Sequence, residues 1–113
     1  MTALLDLGWV DVCDYGDLLP ERGVRALVDG TAVAVFLLSD GSVHAIADVD
    51  PFSGASVLSR GIVGTRNDAP VVASPMFKQS FDLRTGVCVD DASMHVAVLP
   101  VRVAQGRVLV GST

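Results

Sequence analysis

Two histidines, two cysteines and 13 carboxylates are the side chains here that could ligate a metal, move a proton or attack a substrate. His44 and His95 each fall in a strand-like stretch, and neither has a second ligand beside it at metal spacing. Cys13 or Cys88 could meet a histidine in space, but neither carries the local signature of a catalytic thiol. Asp82, Asp90 and Asp91 offer carboxylates to a cation, although acidic turn residues more often cap their own backbone and face water. No Gly-x-Gly-x-x-Gly follows a strand, and no glycine-rich loop ends in Lys-Ser or Lys-Thr to cradle a phosphate. The residue types therefore predict no catalytic residue, no bound metal and no cofactor in this chain.

What the chain does have is a pair of punctuated loops. Asp50-Pro-Phe-Ser-Gly-Ala-Ser-Val-Leu58 and Ser74-Pro-Met-Phe-Lys-Gln-Ser-Phe-Asp-Leu-Arg-Thr-Gly86 each follow a short apolar run, with proline in second place and turn residues behind. Their spacing resembles the two loops of Rieske domains, where Cys-x-His and Cys-x-x-His hold a two-iron cluster through two thiolates and two imidazoles. On that pattern the ligand positions are Asp50 and Phe52, then Ser74 and Phe77. They supply one carboxylate, one hydroxyl and two phenyl rings. Phenyl cannot ligate iron, so the loops are expected without the cluster.

The elements that must position these loops read as strands. Trp9 to Cys13 is a first strand, and Asp14 to Leu19 a turn or single helical turn ended by Pro20. Val24–Val28, Thr31–Ser39 and Ser42–Ala47 are joined by Asp29-Gly30 and Asp40-Gly41, strong hairpin signals. Two-residue turns at both places set Val24 against Val35 and Ala26 against Val33, then Val35 against Ile46, Phe36 against Ala45, His44 against Leu37 and Leu38 against Val43. The middle strand is apolar on both faces, as in a strand lying between packed layers. Gly61–Gly64 and Val71–Ala73 form a hairpin with a longer loop over Thr65 to Pro70. Met94 to Leu99 is strand-like, and Pro100 marks a bend or edge. Val101–Ala104 and Arg107–Val110 pair around Gln105-Gly106, with Val103 opposite Val108 and Val101 opposite Val110. The expected fold is all-β, an antiparallel sandwich or barrel with a small inserted loop subdomain.

With 113 residues the chain is one domain, 1–113, with the degenerate cluster-binding subdomain at about 48–86. Half its residues are hydrophobic, which argues against disorder and hints at surface buried against something else. A net charge of −5 without a Lys/Arg run argues against nucleic acid as a partner. The longest apolar run, Ala32 to Leu38, is far short of a membrane span, and Met1 to Asp6 lacks the basic and apolar regions of a signal peptide. A cytoplasmic location with reduced thiols is expected.

Asp50 to Gly61 and Ala73 to Cys88, together with Trp9 to Cys13, Leu19-Pro-Glu-Arg-Gly-Val24 and Pro100-Val-Arg-Val103, are similar to the small subunit of bacterial assimilatory NAD(P)H-dependent nitrite reductase. The resemblance spans nearly the whole chain. It implies a Rieske-like fold without its cluster and a large partner subunit carrying FAD, an iron–sulfur cluster and sirohaem, where nitrite becomes ammonium. It places no catalytic residue on this chain. Lys78 stands where Rieske proteins often have glycine after the second histidine. Phe52 and Phe77 are expected to pack between the loops in place of the cluster, against a competing reading that leaves one or both rings exposed. The loop tips, with Phe52, Arg60, Met76, Phe77 and Lys78, are expected to meet the large subunit, against a competing reading in which they form a local core for the small subdomain. A free-standing binding or regulatory module on the same fold is the alternative.

Overall fold

The computed structural model describes residues 8–111, and among them ten strands make three antiparallel sheets. The first sheet joins β1 (Trp9–Asp14), β10 (Arg107–Gly111) and β9 (Val101–Ala104) in that order. The second runs β2 (Gly23–Val28), β3 (Thr31–Leu37), β4 (Val43–Ala47) and β8 (Val98–Leu99). The third holds β5 (Ile62–Arg66), β6 (Ala69–Ala73) and β7 (Ser80–Asp82). Single 3₁₀ turns occupy Tyr15–Asp17 and Leu58–Arg60.

β3 organises the packing because its alternate side chains enter two different cores. Val33, Val35 and Leu37 join Val28, Ala45, Val108 and Val110 against the first sheet. Ala34, Phe36 and Leu38 join Ile46, Leu58, Val72, Phe81 and Leu83 against the third. At about 1.5–3 kcal/mol for each fully buried large apolar side chain, these two cores outweigh any surface contact. The three layers are thus held by one strand with two buried faces, as its unbroken apolar run requires.

Two hairpins have the register expected from their turns. Asp29-Gly30 and Gln105-Gly106 both lie at positive φ, giving Val24 opposite Val35 and Val103 opposite Val108. The Asp40-Gly41 hairpin does not. Only Gly41 is left-handed, at φ 90°, and the Leu38 N–H donates to Ser42 O across a three-residue loop. Every pair moves by one place, so Leu37 opposes Val43, Phe36 opposes His44, Val35 opposes Ala45 and Ala34 opposes Ile46. The Asp40 carboxylate takes both the amide and the hydroxyl of Ser42, which favours the longer loop.

β5 and β6 meet in a tighter turn than expected. Asn67 and Asp68 adopt φ 52° and 65°, and pairing continues to Arg66 opposite Ala69, with Pro70 inside the strand. The Leu83 N–H donates to Pro70 O, but proline has no N–H to return, and the ladder to β7 ends there. Met94 to Leu99 is a strand only at Val98–Leu99. The preceding residues are tied by single contacts, the Cys88 N–H to Met94 O and a bridge of Val87 with His95.

Gly61 sits where the first loop rejoins the third sheet. A Cβ there would lie 2.4 Å from Ala73 O and 2.6 Å from Val72 Cγ2, so only glycine allows β5 to start against β6.

Candidate functional site

The two loops leave the same end of the molecule, and buried polar residues build their bases. Ile46, Asp48 and Asp50 occupy alternate positions of an extended segment and all three are buried, while Val49 between the aspartates is exposed. Asp48 pins the first loop. Its N–H donates to Ala32 O at 3.1 Å, and its carbonyl accepts the amides of Val57 and Leu58. Its carboxylate accepts the Ser59 N–H at Oδ1 and the Ser56 hydroxyl at Oδ2, both at 2.6 Å, with Arg25 Nε 3.4 Å away. Nothing in the sequence reading singled out Asp48. The available signal was an aspartate in phase with the apolar face of β4, followed by serines that could return to it.

Asp50 organises the tip of the same loop. Its N–H donates to Ala55 O at 2.8 Å, its carbonyl accepts the Gly54 N–H at 2.7 Å, and its Oδ1 accepts the Phe52 N–H at 2.8 Å. Ser74 does the same for the second loop. Its N–H donates to Gln79 O and its carbonyl accepts the Lys78 N–H, both at 2.9 Å, while its Oγ accepts the Met76 N–H at 3.2 Å. The two organisers then meet, because the Ser74 hydroxyl donates to Asp50 Oδ2 between fully buried side chains. Among the described residues this is the one hydrogen bond joining residues 48–60 to residues 74–79. A buried hydrogen bond to a carboxylate contributes about 1.5–3 kcal/mol.

The two phenylalanines part company. Phe52 is half-buried and packs on the second core, its ring centroid 6.2 Å from that of Phe81 at an interplanar angle of 52°. Phe77 is 57% exposed and so does not pack between the loops. The turn closed by Ser74 and Lys78 is too tight to fold its own side chains inward, and Lys78 completes it at φ 65°, the conformation a glycine would take without strain. Met76, at 48%, is exposed beside Phe77, and Arg60 is exposed at the end of the first loop. Ile62, 78% exposed, opposes Ala73 at the foot of the second loop.

These residues do not fit a two-iron cluster. At the four positions, the carboxylate and hydroxyl satisfy each other, and the two phenyl groups have no donor atom. The other candidate ligands are elsewhere. Cys88 lies in the second core, and Cys13 on β1 lines a cleft of about 190 Å³ with Asp11, Val24, Arg25 and Leu27. Burial pushes the Cys13 thiol up, and Asp17, Asp11 and Asp14 add to the effect against Arg107, which makes it a poor nucleophile. His44 Nε2 is 3.1 Å from Ser42 Oγ, and His95 is exposed. Asp82, Asp90 and Asp91 serve as separate acceptors for Arg84, for Ser80 and Arg66, and for Ser93. Among the described residues no group of three or more His, Cys, Asp or Glu could hold a metal ion, and no helix is long and apolar enough to cross a membrane.

Residues 8–111 match the model of the Rieske-like [2Fe-2S] domain family. The chain is 42% identical over 101 residues to the nitrite reductase (NADH) small subunit of Escherichia coli K12, covering 88% of this chain and 94% of that one. It superimposes with a TM-score of 0.91 on the crystal structure of an NADH-dependent nitrite reductase small subunit from Mycobacterium tuberculosis, at 51% identity over 93% of this chain and 95% of the other. It is also 36% identical, over 97% of its length, to a segment making up 11% of the nitrite reductase [NAD(P)H] large subunit of Klebsiella oxytoca. Three β sheets, two loops joined through Asp50 and Ser74, and 42–51% identity over most of the chain give one conclusion: the chain belongs to the Rieske-like [2Fe-2S] domain family, among the small subunits of NADH-dependent nitrite reductase.

Proposed function

We propose that the chain is the non-catalytic small subunit of a cytoplasmic NAD(P)H-dependent nitrite reductase, in which nitrite is reduced to ammonium on a large partner subunit. The observation that carries this reading is the near full-length match to a small subunit of that enzyme. A related segment within a large subunit supports the pairing, since a domain fused to its partner stays at high effective concentration beside it. The FAD, iron–sulfur cluster and sirohaem needed for the chemistry are assigned to the large subunit, and this chain contributes binding rather than electron transfer.

The docking face in this reading is the loop end. Met76, Phe77 and Ile62 are apolar and exposed at this end, as are the cations Lys78 and Arg60, while Phe52 packs on the second core against Phe81. Charge sets this end apart. The chain carries −5 overall, yet residues 49–61 and 74–81 contain one carboxylate, the buried Asp50, against Arg60 and Lys78. An apolar centre flanked by cations fits a partner surface with an apolar hollow and an acidic rim. Co-expression of the large subunit with a tagged small subunit tests the proposal. Co-purification of a coloured, flavin- and iron-containing large chain is expected. A small subunit recovered alone would favour a free-standing module.

A further inference from the structure

The bond between Asp50 and Ser74 sits at a point where much of the loop end converges. Each partner is the organiser of its own loop, so the bond couples two local hydrogen-bond systems rather than two isolated side chains. Loss of the Ser74 hydroxyl would leave the Met76 N–H without its acceptor and Asp50 Oδ2 without its donor, both near a buried centre. The exposed residues follow at once: Met76 and Phe77 lie two and three places beyond Ser74, and Lys78, held in the left-handed region, donates to the Ser74 carbonyl. The β5–β6 ladder places Arg60 beside the start of the second loop, and the Asp50–Ser74 bond adds the tie between the Phe52 end of the first loop and the turn that carries Met76, Phe77 and Lys78.

We infer that Asp50 and Ser74 are positioning residues, a latch that holds the two loops in one relative arrangement and so preorganises the edge that meets the large subunit. The inference rests on the docking reading above. It goes further by assigning the arrangement to two buried residues that never touch the partner. Preorganisation acts through affinity, because loops already fixed in the bound arrangement lose less freedom on association. The latch is also distinct from a general stabilising contact. The cores that set global stability lie along β3; Asp50 and Ser74 belong to neither, although Phe52 and Leu58 of the first loop reach the second core, so the latch is read at the loop amides rather than in the global melt.

The test uses the full chain with its large subunit and reads two quantities. The first is amide exchange at Phe52, Met76 and Lys78, compared with Val35 and Val110 in the cores. The second is affinity for the large subunit. Ser74→Ala is expected to speed exchange at the loop amides about tenfold or more while the core amides hold, and to weaken association about tenfold. Asp50→Ala should give a similar loss, and the double variant should fall clearly short of the sum of the two, since each single variant already removes the shared bond along with one bond inside its own loop. Losses that add in the double variant, or loop exchange unchanged in Ser74→Ala, overturn the latch. Phe77→Ala separates the two readings. If it weakens binding while Ser74→Ala does not, the docking face stands and the latch is refuted. If neither changes affinity, the face is misplaced and the latch falls with it. Should Ser74→Ala fail to fold, Ser74→Cys keeps the shape with a weak donor and is read in the same way.

Discussion

Replacing Asp48 with alanine should be among the most damaging single changes in the chain. The carboxylate accepts the Ser59 amide and the Ser56 hydroxyl at 2.6 Å each, in a site with no solvent access at Asp48. Without it the Ser59 N–H is left unpaired inside the protein, which costs about 1–3 kcal/mol. The Ser56 bond adds about 1.5–3 kcal/mol, reduced because Ser56 is half-buried and can turn to water. Releasing a buried carboxylate returns part of the total, leaving a net loss of about 3 kcal/mol. For a domain of this size that is a fall of about 10–15 °C in Tm. Arg25 is the control. Its side chain is 55% exposed and its nitrogen is 3.4 Å from the carboxylate, so Arg25→Ala should cost no more than about 1 kcal/mol. Urea melts followed by far-ultraviolet circular dichroism measure both variants. A loss below about 1 kcal/mol for Asp48→Ala would show that the loop base is held by its backbone contacts alone.

Phe77→Ala should change the stability of the isolated chain by less than about 0.5 kcal/mol, whereas Phe52→Ala, which strips a ring from Phe81 and the core, should cost about 1.5–3 kcal/mol; the same melts decide, and equal losses would contradict the exposure of Phe77. Lys78→Gly should stabilise the isolated chain by about 0.5–1 kcal/mol through relief of its left-handed backbone, while weakening association by removing a cation from the proposed docking edge. Asp90 is held below the usual carboxylate range by the Ser80 N–H and then by Arg66. A depressed folded pKa contributes stability that is present above the unfolded value and lost as pH falls through the folded one. Asp90→Asn should therefore melt below the parent at pH 7, with the gap closing as pH drops beneath about 3.8, and a gap independent of pH would count against it. The chain purified alone without oxygen should be colourless and free of iron, and stoichiometric iron with visible charge-transfer bands would refute the reading of the four loop positions.

The strands were legible where a local rule and the packing agreed. Asp29-Gly30 and Gln105-Gly106 each place both residues at positive φ, and the register follows from the turn alone. Asp40-Gly41 has the same kind of letters and a different turn, because the side chain of Asp40 recruits Ser42 and lengthens the loop. Asn67-Asp68 was hidden because it makes a tight turn without glycine. Met94 to Leu99 has strand composition but pairs with β4 only at its end, since its earlier residues are spent on single contacts with Val87 and Cys88. At the site, the spacing of Asp50, Phe52, Ser74 and Phe77 marks the loops through family resemblance. The bond between Asp50 and Ser74 was not legible, since it joins residues 24 positions apart whose meeting depends on the third sheet. The opposite fates of the phenyl rings depend on turn geometry that composition does not encode.

Association of the tagged chain with the large nitrite reductase subunit, compared between wild type and the variants Met76→Asp and Lys78→Glu, tests the account most directly. Both positions are exposed, so the variants should melt within about 0.5 kcal/mol of wild type, yet neither should retain the large subunit on purification. Full retention of the large subunit by both variants would contradict docking through the loop end and would move the contact to another part of the surface.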